Sequence, residues 1–540
     1  MSAPGATRLR GLLAGVAGAA GMIAVLTVLS RAVGFGRWFA QSATLGDSAT
    51  ANAYASANLL PNVLFEVAAG GALAGAVVPL LAAPLARHLR ADVDRISSAL
   101  LTWTLLVLVP LGAAVALLAG PIVALLPDSA GSDVESQRAL ATYFLRVFAL
   151  QIPLYGVGVV LTGILQAQRR FLLPVLAPLA SSVVVIGAYV AFGALSGGMA
   201  DDPERLSAAA LQWLAWGTTA GVAAMSLPLL VPVLRGGVRL RPTARFPAGV
   251  GRRARNLAAA GIGALLAQQV SVVVVLVLAR SGGVEGTITI FQYSQAVYFL
   301  PYAVLAVPVA TAVFPRLAEA AADPDRARFA AMAAGSTRVV TAAALAGVAL
   351  LVAGAPGATA VFSLRSPMEG MTTAITWMAP GVLGYALIFH VSRCLYTIDR
   401  GRAAVVGTAA GWLTVAAASA VAVRLLAPEG GDGPATLQGL AVGSTAGMVV
   451  AGLGLLVALR HAVGGPALAG LARTLLVGSA GAVAGALLGR LVTTALLDGL
   501  GAQLPAALLA ASLGCMVAAG SVLALLALAD RSALRVGRWT

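Results

Sequence analysis

Apolar stretches of membrane-spanning length recur from one end of the chain to the other, parted by short links rich in proline, glycine and charge. At about 20 residues per crossing they predict about fourteen helices. The expected spans are residues 12–42, 52–83, 95–126, 137–168, 173–197, 207–234, 252–280, 287–317, 328–356, 370–398, 403–427, 435–459, 468–497 and 503–529. Runs such as Ser181 to Leu195 lack the alternation of a barrel strand, so the predicted class is an all-α polytopic membrane protein. The opening Met1–Arg10 segment is short and basic, but the apolar run behind it continues to Val33 without a convincing small-residue cleavage site. It is therefore expected to stay as the first helix rather than leave as a signal peptide.

Composition agrees, and the distribution of charge adds orientation. With 59% hydrophobic and 10% charged residues, 540 positions offer too little polar surface for a soluble globule. Links that would share a side with the N-terminus hold Arg87, Arg90 and Arg95, then Arg169 and Arg170, then the arginines from Arg235 to Arg255. The series continues with Arg316, Arg326 and Arg328, with Arg400 and Arg402, with Arg460, and with Arg531, Arg535 and Arg538. The alternate links are poor in arginine and carry acids such as Asp47, Asp128, Asp201, Asp202, Glu285 and Glu429. This is the positive-inside pattern of an even number of spans with both termini in the cytoplasm. The net charge of +15 does not amount to a nucleic-acid surface, because the arginines fall in short clusters between spans.

Several chemistries drop out. The chain has no lysine, which removes the Walker A, Schiff-base and kinase lysines and with them ATP-driven work in this chain. Cys394 and Cys515 lie in apolar segments, so no disulfide framework or paired-cysteine motif is available. His88, His390 and His461 share no ligand spacing, and no metal or cofactor is identified. A coupling ion or the membrane potential remains as the driving force.

Two stretches suggest internal duplication. Leu154–Arg170 lies over Gly384–Arg400 at an offset of 230, matching Tyr155 with Tyr385, Leu165 with Leu395 and Arg170 with Arg400. Leu60-Pro61 resembles Leu300-Pro301, each followed by an apolar helix reaching a further proline, Pro79 or Pro315. The expected organisation is an N-terminal bundle over 1–235, a basic cytoplasmic linker over 236–255, a C-terminal bundle over 256–461, and two further helices with a basic tail over 462–540. Two like bundles facing a midplane cavity are a common transporter plan.

The stretch from Ser30 to Pro79 holds the residues least at home in a membrane. Arg31, Arg37 and Glu66 fall within long apolar segments, where an ionisable group marks a cavity, an ion pair or a substrate path. Six positions along a helix leave Arg31 and Arg37 about 120° short of two full turns. A bend near Gly34 and Gly36 would bring both toward one cavity. Asn52 and Asn62 join Glu66 as cavity candidates on chemistry alone, and Arg31 or Arg37 is the expected ion-pair partner of Glu66. Arg146, Arg338 and Arg393 would extend a basic track, although reaching for water or pairing with an acid is the more ordinary fate of each. Pro61, Pro301 and Pro308 are candidate bends.

Ser30-Arg31-Ala32-Val33-Gly34-Phe35-Gly36-Arg37, then Asn52-Ala53-Tyr54, Leu60-Pro61-Asn62 and Gly71-Ala72 ahead of Pro79, resemble the opening of the MurJ/MviN lipid II flippases. Gln168-Arg169-Arg170-Phe171 with Pro174 and Pro178, and Leu300-Pro301 through Phe314-Pro315-Arg316, extend the likeness. The resemblance implies the multidrug/oligosaccharidyl-lipid/polysaccharide exporter fold, two six-helix bundles around a central cavity plus two C-terminal helices forming a lipid-facing groove. It also implies alternating access for the diphosphate-sugar headgroup of an undecaprenyl-linked peptidoglycan precursor in a bacterial plasma membrane. Departures are plain: Trp38 and Asn52 stand where the family has acids, Phe65 and Glu66 where many members have arginines, and Gln295-Ala296 near another expected arginine. A substrate-contact role therefore carries over only to Arg31 and Arg37.

The expected function is outward flipping of a polyprenyl-diphosphate-linked cell-wall precursor, most simply lipid II, with membrane lipids and cell-wall synthesis proteins as further partners. Arginine suits a diphosphate because its planar fork donates two hydrogen bonds and keeps its charge. Three alternatives stand beside this. One is a same-fold exporter of another lipid-linked glycan or a small cationic solute, and another is a transport-inactive scaffold of the cell-wall machinery. A membrane glycosyltransferase is the third, though no acidic cluster supports it. On the charge pattern, single cysteines at Ser97 and near Arg245 should resist an impermeant thiol reagent applied to intact cells, and cysteines at Ser132 and in the Asp201-Asp202 link should react. Labelling near Arg245 from outside would invert the topology.

Overall fold

The computed structural model describes residues 29–67, 74–131, 133–247, 249–252, 262–323 and 326–535, together with the single positions 26 and 254. Among these, the one β feature is an isolated bridge between Ala130 and Val284. The first ten helices are α1 (29–45), α2 (Ala49–Phe65), α3 (Ala74–Ala86), α4 (Arg90–Leu117), α5 (Ala119–Ala124), α6 (Val134–Phe148), α7 (Gln151–Ala167), α8 (Leu172–Leu195), α9 (Ala208–Ser226) and α10 (Leu230–Arg235). The second ten are α11 (Ile262–Gly282), α12 (Thr287–Pro301), α13 (Val307–Ala322), α14 (Arg326–Phe362), α15 (Met371–Met378), α16 (Gly381–Thr397), α17 (Gly401–Leu426), α18 (Gly433–Val463), α19 (Leu471–Leu500) and α20 (Leu504–Ala529).

Eleven helical stretches of the described residues are long and apolar enough to cross a membrane, and twelve if α15 and α16, bent by 45°, count as one. From the third onward, each expected span meets a helix or a pair of helices. The first two, 12–42 and 52–83, and the start of the seventh, 252–280, run into residues outside the description, where Gly71, Ala72, Ser132, Arg253, Arg255 and Arg538 also lie. One placement is corrected. Ser97, expected at an aqueous link, lies within α4 and is fully buried, so a cysteine there reports packing rather than sidedness.

By contact the chain forms two units, Met1–Thr44 with Ala57–Val123 and Ala139–Ile262, and Leu45–Ser56 with Ala124–Arg138 and Gly263–Thr540. In the first, Val77, Leu81, Ile96, Leu161, Ile164 and Val233 bring α3, α4, α7 and α10 into one apolar core. Beyond α10 the basic link lies along α4. Asp94 Oδ1 accepts from Arg239 N at 2.9 Å, Ser98 Oγ from Arg241 N at 3.0 Å and Thr102 Oγ1 from Thr243 N at 3.1 Å. Trp103 Nε1 then donates to Ala244 O at 3.0 Å. Alternate residues of an unwound chain thus find polar side chains four apart on a helix, which satisfies backbone groups that have no helix of their own.

The second unit is built on α14, where 72% of the apolar window is buried against 22% for α20. Ala342, Leu345, Ala349 and Ala353 of α14 pack with Ala482, Ala518 and Val522 of the last two helices. Between α17 and α18 the contact runs on a four-residue ladder, Gly439 against Val423, Gly443 against Ser419 and Gly447 against Val415. A Cβ at Gly439 would lie 2.9 Å from Val423 N, so the backbones approach as only small residues allow. Apolar side chains gain little by meeting one another in lipid, and this closeness supplies the dispersion contact instead.

Helices α7 and α16 have equal length and end alike at the offset of 230. Arg169 (φ 61°) and Asp399 (φ 57°) are left-handed, and the next N–H of each returns to a carbonyl five residues back, Arg170 to Leu165 at 2.8 Å and Arg400 to Leu395 at 2.9 Å. A proline-associated wide turn also recurs, at 66–67 after Pro61 and at Tyr302–Ala306 between Pro301 and Pro308. Each proline removes a helical N–H, and the wider turn absorbs the missing bond. Replacing Ser98 with Ala should loosen the link by about 1 kcal/mol per lost bond and speed tryptic cleavage after Arg239 and Arg245. An unchanged cleavage rate would mean that α4 does not hold it.

Candidate functional site

Four of the five sequence candidates lie in the first unit. Helix α1 is continuous through Gly34 and Gly36, so the expected local irregularity is absent and the two arginines keep their separation of about 120° around the axis. Arg31 is exposed, whereas Arg37 is half-buried with Cζ 5.5 Å from the Trp38 ring centroid. The ring attracts the guanidinium without neutralising it, unlike the acid that the resemblance places there. On α2, Asn62 Nδ2 donates to Asn58 O at 2.8 Å, next to the gap in backbone bonding left by Pro61. Phe65 stacks on Tyr155 at 4.7 Å between centroids. Glu66 is half-buried just beyond α2 and has no ion-pair partner among the described residues. The expected pairing with Arg31 or Arg37 is therefore not made in this conformation.

Asn52 belongs to the second unit and to a different environment. It is buried, its Nδ2 reaches Ser129 Oγ at 3.5 Å, and its Oδ1 has no partner among the described residues. Around it lies a polar cluster whose centre, Arg280, sequence reasoning passed over. Arg280 is 5% exposed, with Nε donating to Pro127 O at 2.6 Å and Nη1 to Ser56 Oγ at 3.1 Å. Gln137 Nε2 donates to Ala49 O at 2.9 Å and to Glu285 Oε1 at 3.1 Å, and Tyr293 OH to Gly46 O at 2.9 Å. Glu285 N meets Ala130 O at 3.3 Å beside the Ala130–Val284 bridge. Gly286, at φ 87°, lies so close to Asp47 that a Cβ would strike its carbonyl oxygen. These bonds tie the short segments 45–56 and 124–138 to α11 and α12, with the outer Arg138–Asp128 pair, at 2.8 Å, exposed.

The other intramembrane arginines meet ordinary ends, each by different chemistry. Arg146 is exposed. Arg393 lies flat on Phe389, with Cζ 3.4 Å from the ring centroid, and donates to Phe389 O at 2.9 Å. Arg338 donates to Thr474 Oγ1 at 3.0 Å and Asp530 Oδ1 at 2.5 Å, and also to Ser532. Burial alone would push the Asp530 carboxyl up, but the bonds from Thr474 and Ser532 and the Arg338 charge outweigh it and hold it below the usual carboxylate range. Beside the wide turn, Tyr302 packs edge-on to Tyr385 at 4.7 Å and to Phe389 at 5.7 Å. His390 is buried, with Nε2 3.1 Å from Ser336 Oγ. The arrangement offers cations and amides for binding, and the hydroxyl–imidazole pair of Ser336 and His390 is fully buried.

The model of the lipid II flippase MurJ family matches residues 41–502. Curated relatives include a probable lipid II flippase MurJ of Synechocystis sp., 31% identical over 233 residues and 41% of each chain, and the lipid II flippase MurJ of Burkholderia cenocepacia, 25% identical over 354 residues and 63% of each. The chain thus spans less than two thirds of the length of these relatives. Among solved structures, a lipid II flippase MurJ in an inward closed conformation aligns with a TM-score of 0.71 at 17% identity, over 95% of this chain and all of that one. An inward-facing MATE-family multidrug transporter aligns at 0.63 and 15% identity, over 80% of this chain and 94% of the other. At such identities the structural likeness establishes the fold.

Arg280→Ala should orphan Pro127 O and Ser56 Oγ, at roughly 1–3 kcal/mol for each acceptor. The readouts are a lower melting temperature and faster modification of a cysteine at Ser129. Arg138→Ala, at the exposed pair, should cost under about 1 kcal/mol. Equal effects of the two would remove Arg280 from the centre of the cluster.

Proposed function

This chain belongs to the MurJ lipid II flippase family, and from that premise we propose that it carries lipid II from the inner to the outer leaflet of a bacterial plasma membrane by alternating access. The observation that carries the reading is the family match over residues 41–502, a family of transporters rather than enzymes. Arg31 and Arg37 are the proposed diphosphate ligands, with Asn62 and Glu66 in the same unit lining the path of the sugar headgroup. Asn52 serves the other requirement of alternating access, contacts that hold one state and release in the next. Its neighbours Arg280, Gln137 and Glu285 supply directional bonds that a conformational change can break one for one. Both termini are placed in the cytoplasm by the arginine pattern, and cell-wall synthesis proteins are proposed partners.

One observation favours a second reading, a scaffold without transport. Where a cationic track would continue along α2, the chain has Phe65 stacked on Tyr155, and Glu66. Flipping of lipid II in vesicles separates the two. Arg31→Ala with Arg37→Ala should abolish flipping at unchanged membrane abundance, and lysine at either position should restore it only in part because the bidentate fork is missing. Undiminished flipping by the double variant would take these arginines out of the mechanism, and an inert wild-type protein would support the scaffold.

A further inference from the structure

A cavity of about 620 Å³ opens where one end of α14 meets the turn Gly465–Leu468 and the turn Arg531–Leu534. Arg326, Ala330, Ala334 and Arg338 line it at four-residue intervals, one stripe of α14, and Arg535 faces them from the final turn. Alanines and Gly335 between the arginines leave the space unfilled. Arg338 forms its neutralised inner wall. Asp530 Oδ1 is taken by Arg338 and Ser532, and Oδ2 by Thr474. Arg326 and Arg535 are exposed, and among the described residues they make no ion pair and no acidic side chain lines the space.

We propose that this cavity is a binding site for the phosphodiester headgroup of an anionic phospholipid. Two exposed guanidinium groups match one or two phosphate charges, and the positive end of the α14 dipole lies at the same end. With the Asp530 carboxylate saturated, the described lining offers nothing to an ammonium, which disfavours zwitterionic lipids. The cavity shares its end of the chain with the arginine-rich links around 316–328, 460 and 531–535, the side that the charge pattern assigns to the anionic cytoplasmic leaflet. Soluble phosphate esters share the chemistry, but the apolar wall of Val463 and Pro466 suits the start of acyl chains.

The test is native mass spectrometry of the full chain in neutral detergent, titrated with phosphatidylglycerol, phosphatidylcholine or glycerol phosphate. The wild type should prefer phosphatidylglycerol. The R326Q/R535Q variant should bind it roughly thirtyfold more weakly, about what two arginines near an anionic headgroup contribute, with its lipid-free melting temperature unchanged because both side chains are exposed. Arg531→Gln, exposed at the same end but outside the cavity, should leave binding intact. Undiminished binding by R326Q/R535Q, or an equal loss in Arg531→Gln, overturns the site. Glycerol phosphate binding as tightly as phosphatidylglycerol overturns the lipid assignment.

Discussion

A guanidinium keeps its proton at any pH a cell presents, and this chain uses arginine for every basic position. Each arginine drawn into the membrane region must therefore be solvated by the protein, and much of the polar architecture follows from that demand. Arg280 takes a carbonyl and a hydroxyl, Arg338 a carboxylate and two hydroxyls, and Arg393 an aromatic face. Among the described residues Arg37 meets the Trp38 ring, a partner that leaves the charge largely unspent. The difference separates arginines that fasten the structure from one proposed above as an anion ligand.

The helices were legible because an unbroken apolar run of membrane length has few alternatives in lipid. Pro61 and Pro301 announced irregular backbone, since proline lacks an N–H wherever it stands. The match of Leu154–Arg170 with Gly384–Arg400 carried real geometry, down to the left-handed residue before Arg170 and Arg400. The partners of charged groups were not legible. Asp530 lies 192 positions from Arg338, and Ser56 lies 224 from Arg280; no local pattern encodes such pairs.

Arg280 escaped notice for a related reason. It closes α11 one turn before Gly282 and Gly283, and a cation at a helix C-terminus needs no other explanation than the helix dipole. Nor did hydrophobicity reveal that 45–56 and 124–138 take their contacts from the second unit. Pairing Glu66 with Arg31 or Arg37 was sound as charge chemistry, but helix continuity through Gly34 and Gly36 left the arginines pointing about 120° apart.

The link along α4 behaves as a vernier. Four helical residues advance about 6.0 Å and two extended residues about 6.6 Å, so the scales drift by about 0.6 Å at each rung. The bonds to Asp94, Ser98 and Thr102 lengthen in step, 2.9, 3.0 and 3.1 Å. A fourth rung would be out by about 1.8 Å, and the next position on that stripe is Leu106, which has nothing to offer a backbone N–H. The two scales are incommensurate, so the docked length limits itself. The register of the whole connection therefore rests on four side chains, Asp94, Ser98, Thr102 and Trp103, and residues added beyond Ala244 would leave it untouched.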